Sequence, residues 1–157
     1  MNFYQKLHDL CVEKSLFIAV AESCTAGLLA SNIASISGAS TFFKGGIVAY
    51  QNDIKVDILG VSESVLKEKQ AVSSLVVEQM AEGVRNKFSA DFGIATSGYA
   101  GPTGGTDLNP IGTVFIAISY NQKTISKRFV FSGDRQNVVS QSVVKGVNFL
   151  IDELKSY

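Results

Sequence analysis

The chain has 157 residues, of which 46% are hydrophobic, as is typical of one globular domain with a sizeable core. Fourteen basic side chains balance fourteen acidic ones, and this lack of a basic excess argues against a nucleic-acid partner. No apolar run approaches the roughly 20 residues that a membrane span requires, and the first residues lack the pattern of a signal peptide. We therefore expect a single cytoplasmic domain over residues 1–157 with no membrane partner.

The first half of the chain predicts helices that alternate with strands. Apolar residues repeat at helical spacing in the first segment, and a short continuous apolar run follows it, as in a buried strand. A tight turn of small residues then leads into a second helical pattern. In chain order the predicted elements are helix 3–14, strand 16–21, turn 22–27, helix 28–36, loop 37–40, strand 45–51 and a short helix 52–60.

The second half predicts one more helix and strand, a long loop, a β-hairpin and a final helix. Ser62, Ser73 and Asp134 are suitable helix caps. The elements are helix 76–88, strand 91–97, loop 98–107, hairpin strands 112–119 and 124–131 turning near Asn121-Gln122, and a last helix with its core face from Val138 to Leu154. This order predicts a three-layer α/β/α domain with a mixed, partly parallel sheet.

The chain has one histidine, His8, which excludes most designs that need histidine as base or ligand. His8 and Cys11 are three residues apart on the first helix and could supply half of a zinc site, but no CxxC or HExxH spacing completes it. We expect no metal and no cofactor, with Cys11 in the core and His8 in solvent.

A hydrolase without a catalytic histidine can use lysine as base, provided that burial or a neighbouring charge lowers the pKa of its amine. The segment from Ser40 to Lys55 contains a serine, a tyrosine (Tyr50) at the end of a predicted strand, and a lysine just beyond it. The residue types alone are equally compatible with a capping serine, a tyrosine at the edge of the core and a solvated lysine.

Backbone amides in two kinds of segment could bind a ligand. Loop 98–107 has glycines at 98, 101, 104 and 105, which allow close approach of the backbone, although the loop has neither a P-loop nor a GxGxxG pattern. Two predicted helix starts, at Ser23-Cys24-Thr25 and at Ser132–Arg135, could bind an anion, and Arg135 could add a charge-assisted contact. A surface connection and ordinary caps are the alternatives.

Five ordered motifs resemble the C-terminal domain family of the competence/damage-inducible protein CinA and cover nearly the whole chain. Departures from the family pattern are Ala26 and Gln70 where glycine is usual, and Tyr99 where an aliphatic residue is usual. The motifs are Ala21–Gly27 (AESCTAG), Gly45–Asn52 with Lys55 beyond it, Ser97–Gly105 (SGYAGPTGG), Pro110–Val114 and Phe131–Arg135.

The resemblance implies an amidase that converts nicotinamide mononucleotide to nicotinic acid mononucleotide and ammonia, and it suggests a homodimer. It further implies that Ser40 attacks the amide, that Lys55 is the base and that Tyr50 assists proton transfer to the leaving group. Ser23 is a competing nucleophile, and we expect Arg135 to bind the phosphate. The expected substrate-binding residues are Ser23, Cys24, Thr25, Gly98, Ala100, Gly101, Thr103, Gly104, Gly105 and Arg135.

Two other functions remain open at this stage. The same pocket could belong to a non-catalytic nucleotide-binding or regulatory module, although the presence of Ser40, Tyr50 and Lys55 together favours an enzyme. A DNA-associated competence factor is suggested only by the name of the family, and the balanced charge of the chain argues against it.

Overall fold

The computed structural model describes residues 2–157. Six α-helices and five β-strands are found within them, together with a short 3₁₀ helix at Ala39–Thr41. The elements are α1 (Phe3–Lys14), β1 (Ile18–Glu22), α2 (Leu28–Ile33), β2 (Phe43–Val48), α3 (Asn52–Leu59), α4 (Glu63–Lys69), α5 (Ser74–Phe88), β3 (Phe92–Gly98), β4 (Thr113–Tyr120), β5 (Lys123–Val130) and α6 (Arg135–Ser156).

The strands form one mixed sheet in the order β2-β1-β3-β4-β5. Strands β2, β1 and β3 are parallel, whereas β4 and β5 are antiparallel to their neighbours. The carboxyl ends of β1, β2 and β3 therefore meet at one edge of the sheet, where β4 begins and β5 ends. We call this the carboxyl edge and the opposite one the amino edge.

Both faces of the sheet are covered by helices because its central strands are apolar on both sides. Along β4, Val114, Ile116 and Ile118 pack in one core with residues of α1, α2 and α6. Phe115 and Ala117 pack in a second core with residues of α3, α4 and α5. This alternation follows the two-residue period of a strand, and it confirms the expected three-layer α/β/α architecture with a mixed sheet.

The face that receives α5 carries small residues, which let the helix approach closely. Ala19, Ala21 and Ala95 are fully buried on it. At Gly93 of β3, an added Cβ would collide with the carbonyl oxygen of Ala81 in α5. A side chain at Gly93 would therefore push α5 away from the sheet.

Helix caps and termini follow the sequence closely. Asp134 caps α6, accepting from the Asn137 amide at 2.9 Å, and Ser62 and Ser73 cap α4 and α5. The hairpin turns at Asn121-Gln122 as expected, and Cys11 is fully buried. None of the helices in residues 2–157 has the length and apolar character needed to cross a membrane.

Several details differ from the predictions. Helix α2 ends at Ile33 rather than at residue 36. β2 begins and ends earlier than the predicted strand 45–51, so Tyr50 lies just beyond it. The segment after Ser62 forms the additional short helix α4. His8 is half-buried rather than solvated, with Nδ1 at 2.9 Å from an Asp9 carboxylate oxygen.

Candidate functional site

The turn after β1 places Ser23 at the carboxyl edge. The Ser23 amide donates to the Thr96 carbonyl at 3.1 Å, which ties the turn to β3. The turn then passes through Ala26 and Gly27, whose φ angles of 48° and 101° are both in the left-handed region. Ala26 thus adopts a backbone conformation that glycine adopts at a lower free-energy cost.

Lys55 approaches Ser23 from helix α3, which follows β2. Its Nζ donates to the Ser23 hydroxyl at 3.1 Å and to the carbonyls of Ala49 and Tyr50 at 2.9 Å each. Lys55 is 1% exposed, and burial lowers the pKa of its amine because the ammonium form loses hydration. The prediction of a buried lysine with a lowered pKa is met here, and the alternative of a solvated charge is wrong.

Lys55 has no carboxylate partner among residues 2–157. The only salt bridges within residues 2–157 are His8–Asp9 and Lys69–Glu68. All three partners of its amine are neutral oxygens, which hold the group in place without the stabilisation that a carboxylate would give to the ammonium form. Such an amine is suited to accept a proton from the serine hydroxyl beside it.

A cavity of about 330 Å³ opens in front of Ser23 and Lys55. It lies where the helices that follow β1 and β2 leave on opposite faces of the sheet, which is the usual place for a ligand in open α/β folds. Its lining residues are Ser23, Cys24, Tyr50, Asn52, Lys55, Ala71, Val72, Ser97, Gly98, Tyr99, Ala100, Gly101, Thr103 and Arg135.

The glycine-rich loop forms one wall of this cavity with its first half only. Gly98, Ala100, Gly101 and Thr103 line it, whereas Gly104 and Gly105 line a separate shallow depression. The expectation that these last two glycines contact the ligand is thus corrected. The loop folds back on Pro110 and Ile111, and this carries its second half away from the site.

Arg135, the first residue of α6, closes another side of the cavity. Its guanidinium donates to the Gly101 carbonyl and to the Tyr50 hydroxyl, both at 2.7 Å. These bonds connect the glycine-rich loop with the segment after β2. Tyr50 is 53% exposed, so its ring lies at the mouth of the cavity rather than at the edge of the core.

Cys24 and Thr25 are placed differently from their expected role. Cys24 lines the cavity as a free thiol, and burial raises its pKa to about 12, so the reactive thiolate is disfavoured. Thr25 does not line the cavity. It is buried behind the turn, where its hydroxyl donates to a Glu22 carboxylate oxygen at 2.6 Å and lies 2.8 Å from the Thr96 hydroxyl.

The structure corrects the assignment of Ser40 as the nucleophile that Lys55 activates. Ser40 is an exposed residue of the 3₁₀ helix that precedes β2, at the amino edge. Lys55 Nζ lies just beyond the other end of β2, which spans six residues and thus five steps of about 3.3 Å, roughly 17 Å in all. Within one chain the two groups cannot exchange a proton, and Ser23 occupies the position beside Lys55.

Several residues of the site were not predicted to have a role. Ser97 lies next to the last residue of β3, beside the cavity, and its hydroxyl donates to the Ala71 carbonyl at 2.8 Å. The position of Ser97 at a strand end was a usable signal. Ala71 and Val72 reach the cavity through this tertiary contact, for which the sequence has no local signature. Asn52, the first residue of α3, also lines the cavity.

Comparison with known proteins identifies the family. A family model described as the CinA C-terminal domain matches residues 2–154. The chain belongs to this family. A CinA-like protein of Thermotoga neapolitana is 44% identical over 155 residues, covering 96% of this chain and 38% of its own length. A CinA-like protein of Syntrophus aciditrophicus is 48% identical over 130 residues, covering 82% of this chain and 31% of its own length. This CinA-family chain thus spans about a third of the curated relatives it matches.

Solved structures of the CinA family have the same fold. The competence damage-inducible protein A of Klebsiella pneumoniae superposes with a TM-score of 0.96 at 32% identity, covering 99% of this chain and 96% of that one. A CinA superfamily protein of Enterobacter cloacae gives a TM-score of 0.93 at 38% identity, covering 97% and 90% of the two chains.

Proposed function

We propose that this CinA-family protein is an amidohydrolase in which Ser23 and Lys55 hydrolyse the carboxamide of nicotinamide mononucleotide. The observation that carries the proposal is the 3.1 Å contact between Lys55 Nζ and the Ser23 hydroxyl at the cavity. A buried lysine with a lowered pKa beside a serine is a recognised substitute for the histidine of other serine hydrolases. The remaining steps follow from the groups around this pair.

In the first half-reaction the neutral amine of Lys55 takes the proton of the Ser23 hydroxyl as the serine oxygen bonds to the carboxamide carbon. The tetrahedral intermediate carries negative charge on its oxygen. Cys24 follows Ser23 directly and lines the cavity, and within residues 2–157 no backbone carbonyl accepts from its amide, so we assign this amide as a donor to that oxygen. The amide of the residue after the nucleophile is a common part of an oxyanion hole.

The intermediate collapses when the carbon–nitrogen bond breaks and the nitrogen takes a proton to leave as ammonia. Lys55 holds the proton gained from Ser23. Tyr50 assists this transfer from the mouth of the cavity, and its hydroxyl oxygen already accepts from Arg135, which leaves the phenolic hydrogen for the substrate. The result is an ester between Ser23 and the nicotinoyl group.

Water completes the reaction by attacking this ester. Lys55 takes a proton from the water, the bond between carbon and the Ser23 oxygen breaks, and the proton returns to Ser23. One amide and one water thus become one carboxylic acid and one ammonia. Neither half-reaction needs a metal or a cofactor.

Two features support a nucleotide as the substrate. The volume of about 330 Å³ lies at the small end of ligand pockets, which span about 300–1,000 Å³. Arg135 places a guanidinium at the wall, and this group is well suited to a phosphate. Its bonds to the Gly101 carbonyl and the Tyr50 hydroxyl use two of the five N–H donors of the guanidinium, so donors remain for that contact.

The test is ammonia release by the purified protein, with chelator present, from nicotinamide mononucleotide, nicotinamide riboside and nicotinamide. We expect turnover of all substrates that fit, with the highest kcat/KM for the mononucleotide because only it carries the phosphate. Equal kcat/KM for mononucleotide and riboside would contradict the role of Arg135. Binding of the mononucleotide without any ammonia release would instead indicate a regulatory module. The homodimer stays a prediction from the family resemblance, and the cytoplasmic location stays a prediction from the sequence.

A further inference from the structure

Glu22 is a buried carboxylate that the reaction described above does not use. It is the last residue of β1 and is 1% exposed. A buried carboxylate is costly unless hydrogen bonds compensate it. Its position directly before Ser23 makes its hydrogen bonds relevant to the nucleophile.

Three donors surround this carboxylate. One oxygen accepts from the Thr25 hydroxyl at 2.6 Å and from the Leu29 amide at 2.8 Å, and the other accepts from the Ala30 amide at 3.0 Å. The two amides belong to the first turn of α2, where amides lack partners within the helix. Glu22 thus joins the end of β1 to the start of α2 across the turn that carries Ser23.

The Thr25 hydroxyl extends this connection to β3, because it lies 2.8 Å from the Thr96 hydroxyl. The Thr96 carbonyl in turn accepts from the Ser23 amide. The turn is therefore tied to two strands and one helix, and these bonds restrict the movement of Ser23.

We propose that Glu22 is a positioning residue that holds Ser23 against Lys55. This proposal rests on the proposed function of Ser23, and it adds a residue that contacts neither substrate nor reacting atoms. Because a displacement of about 1 Å at a reacting atom can cost about 100-fold in rate, losing this anchor lowers the rate of the chemical step. It leaves substrate binding nearly unchanged, because Arg135 and the glycine-rich loop are anchored elsewhere.

The test uses Glu22→Gln, which keeps the shape of the side chain but replaces one acceptor oxygen with an NH₂ group. At least one of the three donors around Glu22 then faces another donor and loses its hydrogen bond. Its matched control is Glu153→Gln. Glu153 is a partly buried carboxylate on α6 that accepts from the Tyr120 hydroxyl at 2.8 Å, away from the cavity. Thr25→Val, which removes the Thr25 hydroxyl alone, keeps the test available if Glu22→Gln fails to fold.

Two rates are measured for each variant. One is kcat for nicotinamide mononucleotide, together with KM. The other is labelling by an alkyl fluorophosphonate, in which the Ser23 oxygen bonds to phosphorus, fluoride leaves and Lys55 takes the serine proton. Mass analysis locates the adduct, so the second rate reports on Ser23 without the proposed substrate.

We expect Glu22→Gln, or Thr25→Val in its place, to lower kcat and the labelling rate by about 10-fold or more, with KM changed less than about threefold. Glu153→Gln should match the wild type in both rates. An unchanged labelling rate in a folded Glu22→Gln protein would overturn the proposal, as would a loss confined to KM or no labelling of Ser23 in the wild type. Labelling that depends on Glu22 without hydrolysis of the mononucleotide would uphold Glu22 while rejecting the proposed substrate.

Discussion

The two ends of strand β2 each have a lysine whose amine donates to two backbone carbonyls. At the amino edge, Lys44 Nζ donates to Phe88 and Ser89 at 3.1 and 3.0 Å, but the side chain is exposed. At the carboxyl edge, Lys55 makes two such bonds at 2.9 Å while it is 1% exposed, and a serine hydroxyl is its third partner.

The difference between these lysines shows what turns a structural amine into a candidate base. Lys44 neutralises the carboxyl end of α5, where the last carbonyls favour a cation. Lys55 has similar acceptors, but burial lowers the pKa of its amine and the neighbouring hydroxyl gives it a proton to remove. The two amines make nearly the same number of hydrogen bonds. What distinguishes Lys55 from Lys44 is therefore its burial and the serine hydroxyl beside it.

The largest expected effect comes from removing the amine of Lys55, and the removal of the Lys44 amine is the control. Lys55→Met keeps the length of the side chain and should lower kcat by about 10²–10⁴-fold, the usual contribution of a general base. Lys44→Met is the matched control and should keep kcat within about twofold of the wild type. Steady-state ammonia release from both folded variants checks this, and equal losses would break the distinction between the two lysines.

The guanidinium of Arg135 is the second cation of the site. Arg135→Gln should raise KM for the mononucleotide by about 10-fold or more, because a hydrogen bond to a charged group contributes about 1.5–3 kcal/mol. The change in kcat should be smaller, since phosphate binding is the same in ground state and transition state. Kinetics with mononucleotide and riboside measure this. A larger loss in kcat than in KM would place Arg135 in the chemistry instead.

The pH dependence should separate the two lysines further. Lys55 acts as a neutral amine, so kcat/KM should rise with pH through its lowered pKa and level off above it. In the unfolded chain the same amine regains an ordinary lysine pKa. Between the lowered and the ordinary pKa the unfolded chain binds more protons than the folded one, so the free energy of unfolding should rise with pH over that interval. Rates and denaturant unfolding, measured at pH values up to the ordinary lysine pKa of about 10.4, test both. Lys55→Met should abolish the pH-dependent rise in the free energy of unfolding. If this rise is retained in the variant, it does not come from Lys55.

Among the residues that line the cavity, the smallest effect is expected at Cys24. Burial disfavours the charged form of either group, lowering the pKa of the Lys55 amine and raising that of the Cys24 thiol to about 12. The thiol should therefore be unreactive, and Cys24→Ala should keep kcat within about threefold of the wild type. Ammonia release by Cys24→Ala, with iodoacetamide treatment of the wild type, measures this. Loss of activity in either experiment would make Cys24 a rival nucleophile.

The architecture could be predicted because its signals are local. Helical and strand periodicities located the elements, and their order gave the three layers and the mixed sheet. The bounds of β2 were less accurate, since Gly45 and Gly46 interrupt its apolar pattern. Helix α4 was signalled only by its cap, Ser62, because the segment ESVLKEK contains just two apolar residues, Val65 and Leu66, and so has no apolar period.

The site could be predicted only in part because it depends on which edge of the sheet a residue occupies. Ser40 and Lys55 are close in sequence, but β2 separates them. Ser23 and Lys55 are 32 positions apart, yet each follows the carboxyl end of a parallel strand. Had the length of the strand between Ser40 and Lys55 been considered, the sequence would have favoured Ser23 over Ser40 as the serine beside Lys55. The contacts of Ala71 and Glu22 depend on packing that no local pattern reveals.

The most direct test of the Ser23–Lys55 pair is a comparison of Ser23→Ala and Ser40→Ala in ammonia release from nicotinamide mononucleotide. Both changes remove one hydroxyl, one beside Lys55 and the other at the amino edge of the sheet. We expect Ser23→Ala to lower kcat by about 10³-fold or more, and Ser40→Ala to keep it within about twofold of the wild type. Full activity of Ser23→Ala together with loss in Ser40→Ala would contradict the account.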